Sequence, residues 1–219
     1  MYYPTYIIEK KEDIVSCPVF DADNFLWTCK TRPKTFGQMG YISGTGLYLT
    51  MTCLEQDPKR EMKNHRDMVC YDSAVEAFFA FPDSNLRQTE RPENNCLYFN
   101  FEINALGAMY AKYGCGRQNR LFITKKEYEM AQVSAVIEKD RWSAELIIPD
   151  KLLARTAGIC GFSAGDKFFC NFYKISQHKP IEHYAAFAPI PTNEPNFHQP
   201  EFFAISEIVC HPTFKQKKQ

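Results

Sequence analysis

Apolar and polar residues alternate with a period of two along much of the chain, which is the pattern of β-strands. Four segments show this alternation over six to eight residues: 47–54, 74–79, 97–104 and 168–175. Two further segments, 132–138 and 142–148, flank Lys139-Asp140, whose residue types favour a turn. These two segments are therefore predicted to form a β-hairpin.

Helical signals are few and short. Pro149 suits the first turn of a helix, so a helix is predicted over residues 149–155, and Lys125–Met130 is a second candidate. Residues 188–200 hold four prolines, which exclude a helix and a central strand there. Many strands with one or two short helices predict an all-β fold, an antiparallel β-sandwich with jelly-roll or immunoglobulin-like layering.

Composition supports a folded chain with no strong charge bias. Hydrophobic residues make up 45% and charged residues 24%, which excludes wholesale disorder. Lys+Arg and Asp+Glu both number 26, so neither nucleic acid nor an anionic membrane is expected as a partner. No composition break divides the 219 residues. We predict one domain over 1–219, with its core at about 20–209 and a frayed end at 215–219.

The nine cysteines are odd in number and contain no Cys-x-x-Cys pair. This pattern supports neither a disulfide framework nor a zinc site, and it favours free thiols in a reducing compartment. The first thirteen residues lack the basic and apolar regions of a secretory signal. The expected location is therefore cytoplasmic, or extracellular if an export segment precedes this sequence.

Short polar side chains and aromatic rings share one face of three predicted strands. The polar members are Glu76, Asn100, Glu102, Asn104, Asn171 and Tyr173. Asparagine is normally depleted in strands, so three asparagines there need a reason. Sugar hydroxyls would pair with such groups, and the apolar face of a sugar would lie on a ring. A polar network satisfied by the backbone is the alternative, and the pattern alone leaves both open.

Five short motifs follow one another along most of the chain. They lie at residues 72–78 (DSAVEAF), 98–107 (YFNFEINALG), 142–149 (WSAELIIP), 171–174 (NFYK) and 197–203 (FHQPEFF). In this order they resemble the motifs of carbohydrate-binding module family 9. The likeness is nearest to the bacterial carbohydrate-binding family 9-like proteins, and it spans roughly residues 20–209.

The resemblance implies a β-sandwich that binds sugar without catalysis on the concave face of one sheet. It also implies that sugar hydroxyls form hydrogen bonds with Glu76, Glu102, Asn104 and Tyr173. It implies a pair of aromatic side chains that clamps a terminal sugar. One of the pair would fall on Phe187, where the family usually has Trp. The other would fall on Tyr71, while Asn100 and Asn171 would support the network.

Other chemistries compete with sugar binding. Glu76 and Glu102 could form the acid–base pair of a glycoside hydrolase. A repurposed sandwich could act as an interaction domain or hold haem, with His183 as the histidine that could face its cavity. Arg117 and Arg120 are expected at a loop tip, where they would meet solvent or an anionic group. No cofactor is required by the resemblance; calcium occurs in the family, and no protein partner or calcium ligand is assigned.

Overall fold

The computed structural model describes residues 1–82, 85–87 and 90–212, and the predicted frayed end at 215–219 lies outside them. The strands are β1 (Tyr2–Ile8), β2 (Val19–Asp21), β3 (Asn24–Phe25), β4 (Lys34–Ile42), β5 (Gly46–Leu54), β6 (Ala74–Ala80), β7 (Leu97–Asn104), β8 (Met109–Cys115), β9 (Leu121–Phe122), β10 (Ser134–Ile137), β11 (Trp142–Pro149), β12 (Lys167–Ser176), β13 (His183–Ala186) and β14 (Ala204–Cys210). All six strands predicted from the alternation are present.

Two short α-helices accompany the strands, at the predicted places. Helix α1 (Lys125–Met130) begins with a capping box, in which Thr124 accepts a hydrogen bond from the backbone of Glu127. Helix α2 (Asp150–Ala157) follows Pro149 directly and ends at Gly158, which adopts the left-handed conformation typical of a C-terminal glycine. No helix in the described part of the chain is long and apolar enough to cross a membrane.

The strands join into one curled sheet, whereas the sequence predicted two separate ones. Its order is β10-β11-β5-β4-β1-β14-β12-β6-β7-β8-β9, with β2 paired to β4 and with β13 between β12 and β3. Strand β1 connects the two halves of this sheet, because it lies between β4 and β14 and runs parallel to both. The remaining pairs are antiparallel. The all-β prediction is therefore confirmed, and the bridging strand was not predicted.

The curled sheet brings two groups of strands together around the main core. Met51 and Trp142, from β5 and β11, share this core with Phe79, Phe101 and Phe172, from β6, β7 and β12. The Trp142 side chain is fully buried. Burial of aromatic side chains on this scale is the main stabilising contribution to the fold.

A second apolar cluster covers the opposite face of β6, β7 and β12. Phe78, Tyr98 and Tyr173 project into it from the strands, and Phe197 and Phe203 cover them from the chain that follows β13. The proline-containing segment 188–200 therefore packs back onto the sheet. The polar side chains on this face consequently lie beneath loops, where contact with a ligand can exclude water.

A polar cluster is buried around the Lys174 side chain, which is 0% exposed. Its ammonium nitrogen lies 2.6 Å from the Ser73 hydroxyl, 2.9 Å from Nε2 of His183 and 3.6 Å from a Glu55 carboxylate oxygen. The same oxygen accepts hydrogen bonds from Ser73 and from the Trp142 indole. Ser73, Trp142 and Lys174 belong to three of the five motifs, so these motif residues build the scaffold.

Candidate functional site

The floor of the candidate site consists of side chains paired across β6, β7 and β8. In one row Glu76 is paired with Glu102, and Glu102 with Tyr110. In the neighbouring row Asn100 is paired with Lys112. Because residues two apart on a strand share a face, both rows point to the same side of the sheet. This places two carboxyls, an amide and an amine side by side.

Glu76 and Glu102 form a pair of buried carboxyls, with only 3% and 6% of their surfaces exposed. Burial raises the pKa of Glu76 well above its ordinary value, and the neighbouring Glu102 raises it further. Burial also raises the pKa of Glu102 to about 7, although Asn100, Arg120 and Lys112 act in the opposite direction. Two such close carboxyls do not both ionise readily, so the pair retains a proton near neutral pH.

The Glu76 carboxyl has no hydrogen-bond partner among the residues that the structure describes, and it lines a cavity. Glu102 differs, because one of its oxygens accepts a hydrogen bond of 2.9 Å from the Asn100 amide. A buried carboxyl without a partner carries a large desolvation cost. The Glu76 oxygens are therefore the acceptors most available to a hydroxyl of a ligand.

Arg120 holds the Asn100 side chain in place. Its guanidinium donates two hydrogen bonds to Oδ1 of Asn100, at 2.8 and 3.2 Å, and stacks 3.6 Å above the ring of Tyr98. The amide of Asn100 is therefore oriented with its nitrogen toward Glu102. Arg120 itself is only 9% exposed, so it lies beneath the surface and not at the predicted loop tip.

Aromatic rings form much of the wall of the cavity, which has a volume of about 390 Å³. The lining rings belong to Trp27, Tyr71, Tyr110, Tyr184 and Phe197. This volume and this mixture of rings with a few polar groups are typical of small-molecule sites. Aromatic walls above paired carboxyls can receive the apolar face and the hydroxyls of a sugar at the same time.

Trp27 is held in an unusual backbone conformation. Its φ angle is 54°, in the left-handed region that non-glycine residues rarely adopt. Its indole nitrogen donates a hydrogen bond of 2.7 Å to the carbonyl of Thr192, and its ring packs on Tyr184 and Phe197. Positive φ angles at bulky residues cluster at functional sites, and here the strain presents an indole to the cavity.

Four of the eight residues predicted for the site line the cavity: Tyr71, Glu76, Asn100 and Glu102. Asn104 instead contacts the chain around it, since its amide donates to Asp72 and to the carbonyl of Met62. Asn171 pairs with the backbone amide and carbonyl of Ala188. These two strand asparagines therefore anchor loops, as the alternative of a satisfied polar network anticipated.

Tyr173 supports the cavity from below. Its ring is fully buried and stacks on Phe197 with a centroid separation of 4.0 Å, while its hydroxyl donates to the Phe197 carbonyl. Phe187, the expected clamp residue, lies on the other side of the sheet. Its ring packs in the main core against Phe20 and Phe172, and it does not line the cavity.

Several lining residues were not predicted from the sequence. They are Trp27, Tyr110, Lys112, Tyr184, Asn196, Phe197 and His198, together with smaller contributions from Met68, Cys70, Asn119, Ile175, Gln177 and Pro195. Most come from loops or strand ends, where no periodic pattern marks a cavity-facing residue. The signal that was available was the presence of Trp27 in a segment with no core alternation, since the chain has only two tryptophans.

Among residues 1–82, 85–87 and 90–212, no three His, Cys, Asp or Glu side chains are grouped as metal ligands. His183 does not line the cavity. Its Nδ1 lies within hydrogen-bond distance of Thr31 and the Ile181 carbonyl, and its Nε2 faces Lys174. All nine cysteines are free thiols.

The raised pKa of Glu102 predicts a pH-dependent gain of stability in the Glu102→Gln variant. Unfolded glutamate ionises near pH 4.3, whereas the pKa of Glu102 in the fold is about 7. The wild type therefore loses stability as pH rises through this interval. Glutamine carries no charge and can still accept the hydrogen bond from Asn100. We expect a gain of about 1–3 kcal/mol at pH 8 and none at pH 4, measured by chemical denaturation.

Glu129→Gln is the matched control for this experiment, because Glu129 is exposed on α1. Its stability relative to wild type should not change between pH 4 and pH 8. An equal effect of Glu102→Gln at both pH values would show that Glu102 does not have a raised pKa.

Known proteins resemble this chain in sequence and in fold. A family model described as carbohydrate-binding family 9 matches residues 19–208. No curated protein matches the chain.

Three of the solved structures that match this chain illustrate the shared fold. One is a protein from Bacteroides uniformis described as a candidate carbohydrate-binding protein, with 18% identity, a TM-score of 0.77, and coverage of 95% of this chain and 99% of that chain. Two are family 9 modules from Caldicellulosiruptor kristjanssonii. The complex with cellotriose has 11% identity, a TM-score of 0.58, and coverage of 96% and 93%. The complex with glucose has 12% identity, a TM-score of 0.59, and coverage of 96% and 95%.

Proposed function

This chain belongs to carbohydrate-binding family 9, and on that premise we propose that it binds a saccharide, without catalysis, in the cavity above Glu76 and Glu102. One observation carries the placement: the buried Glu76 carboxyl, which has no hydrogen-bond partner among the described residues, lies at the floor of a cavity walled by aromatic rings. The family and its complexes with cellotriose and glucose support binding over hydrolysis.

Each part of the proposed site has a separate role toward the sugar. The carboxyls of Glu76 and Glu102 accept hydrogen bonds from hydroxyls, and a protonated carboxyl can also donate to an oxygen of the ligand. Trp27 and Tyr71 offer ring faces to the apolar side of the sugar. Asn100 keeps Glu102 in place, and Tyr173 supports Phe197. Phe187, Asn104 and Asn171 are not part of the proposed contact surface.

Two finer points complete the proposal. We propose that the curled sheet is best described as a two-layer β-sandwich, which is supported by the single core between its two groups of strands. We also propose a reducing compartment, which is supported by the nine free thiols. Calcium is not proposed as a requirement, so binding should be the same with added calcium and with a chelator.

Tryptophan fluorescence tests the proposed site directly. The chain has two tryptophans, and Trp27 lines the cavity whereas Trp142 lies in the core. A saccharide bound in the cavity should change the emission of Trp27 in a saturable way. The panel to titrate contains glucose, cellotriose and matched neutral and acidic disaccharides.

The Trp27→Phe variant is the control. It keeps an apolar ring in the wall, and we expect it to lose the emission change while calorimetry still detects binding. A saturable emission change of the same size in Trp27→Phe would place the sugar elsewhere. A folded protein that shows no change with any member of the panel would also contradict the proposal.

A further inference from the structure

Three cationic side chains, Lys112, Arg117 and Arg120, line the cavity together with only two carboxyls, Glu76 and Glu102, among its described lining residues. The cations come from β8 and from the loop that leads to β9. None of them forms an ion pair with a described residue. Three cations face two carboxyls, so the described lining carries a net positive charge even when both carboxyls are ionised.

Arg120 contributes charge to the cavity without offering it free donors. Its hydrogen bonds go to Asn100 and to the backbone carbonyls of Tyr98, Lys112, Gly114 and Gly116, which are all neutral acceptors. The guanidinium charge is therefore held beneath the surface and is not cancelled by its partners. A charge held in a partly desolvated position acts more strongly on a ligand than the same charge in open water.

Lys112 provides donors that remain available to a ligand. Its ammonium lies 4.4 Å from the ring centre of Phe122 and 5.0 Å from that of Tyr110. These rings position the ammonium but form no N–H···O hydrogen bond with it, whereas a carboxylate would. Arg117 is exposed at the entrance and adds a second donor group.

The neighbouring His198 does not add a further positive charge to the cavity. Burial lowers the pKa of His198 to about 3, and Arg120, Arg117 and Lys112 contribute to this shift in the same direction. The imidazole is therefore neutral, and it adds no further charge to a cavity that already holds three cations.

We propose that the saccharide bound in this cavity is acidic, with a carboxylate or a sulfate ester that lies against Lys112 and Arg117. This inference rests on the proposed function and specifies its class of ligand. The hydroxyls of the sugar face Glu76 and Glu102, while the anionic group faces the cations. The arrangement selects against a neutral sugar because the cations would then lose water without gaining a counter-charge.

Calorimetric titration with matched ligands tests the inference. The probes are cellobiose, cellobiouronic acid and a singly sulfated cellobiose, together with matched neutral and acidic pairs on a glycan array and inorganic sulfate alone. At 50 mM NaCl we expect at least one acidic member to bind ten-fold or more tightly than its neutral partner. Raising the salt to 500 mM should reduce this preference.

Lys112→Met is the variant that separates charge from packing, since methionine keeps an apolar chain over the rings. It should reduce the affinity for the acidic probe at least ten-fold more than it reduces the affinity for the neutral partner. Lys125→Met, on the exposed start of α1, is the matched control and should change neither.

The outcomes distinguish this inference from the proposed function. If neutral members bind as tightly as acidic ones, or if Lys112→Met affects both equally, the inference falls while saccharide binding stands. If no saccharide binds the folded protein, both fall. If inorganic sulfate binds as tightly as any acidic sugar, the site recognises a free anion and both fall.

Discussion

Glu76→Ala is expected to weaken saccharide binding about ten-fold or more. The Glu76 carboxyl has no described partner and faces the cavity, so it is available to two hydroxyls of a ligand. A hydrogen bond to an uncharged group contributes about 0.5–1.5 kcal/mol, and about 1.4 kcal/mol corresponds to a ten-fold change in Kd. Two lost bonds therefore give a loss of about ten-fold or more, which calorimetry with the tightest ligand measures.

The same change should leave the protein folded. Alanine removes one member of a repelling pair of carboxyls, and this relief offsets part of the packing that is lost at the cavity floor. Glu207→Ala, on β14 and away from the cavity, is the matched control and should retain wild-type affinity. Wild-type affinity in Glu76→Ala, with a native thermal transition, would remove Glu76 from the site.

Lys174→Met is expected to destabilise the protein by about 3–5 kcal/mol, the cost typical of breaking a buried ion pair. Burial would by itself raise the pKa of Glu55, but Lys174 and hydrogen bonds from Ser73 and Trp142 hold it below its usual value. Without the ammonium, the Glu55 charge stays in a largely buried position and Ser73 loses a donor. Chemical denaturation measures the loss.

Two further variants show where this loss of stability comes from. Glu55→Gln combined with Lys174→Met should recover part of the stability, because the uncompensated charge is then removed. Lys167→Met, at the start of the same strand, should change stability by about 0.5 kcal/mol or less. A Lys174→Met protein as stable as the wild type would show that the cluster does not stabilise the fold. If that variant does not fold, the double variant carries the comparison.

The strands could be predicted because alternation reports directly on the pleat of a sheet with two different faces. Segment 97–104 coincides with β7, and the predicted hairpin is the β10–β11 pair. Strand β1 could not be predicted in this way. It contains Pro4, and it pairs with residues about 200 positions away, such as Tyr2 with Ile205. Its parallel pairing depends on the rest of the fold.

The two carboxyls and the amide of the floor were predictable, whereas most of the walls were not. The sequence marks the floor groups because polar residues, namely Glu76, Asn100 and Glu102, share one face of neighbouring predicted strands. Trp27 and Phe197 lie in loops, and their positions follow from packing on Tyr184 and on the sheet. No sequence pattern shows that Trp27 adopts a positive φ angle.

The role of Phe187 depends on which face of the sheet its side chain points to. It follows β13 directly, and successive side chains at a strand point to opposite faces. Its ring enters the main core beside Phe172 and Tyr3, so the wall of the cavity falls to other residues. The resemblance placed a clamp residue at Phe187, whereas Tyr184 of β13 is the ring of this segment that lines the cavity.

The most direct test of saccharide binding in this cavity is a glycan array probed side by side with the wild type and with Glu76→Ala. The account predicts a defined group of glycans that retain the wild type and do not retain the variant, with both proteins folded. The same glycans retained by both proteins, or none retained by the wild type, would contradict it.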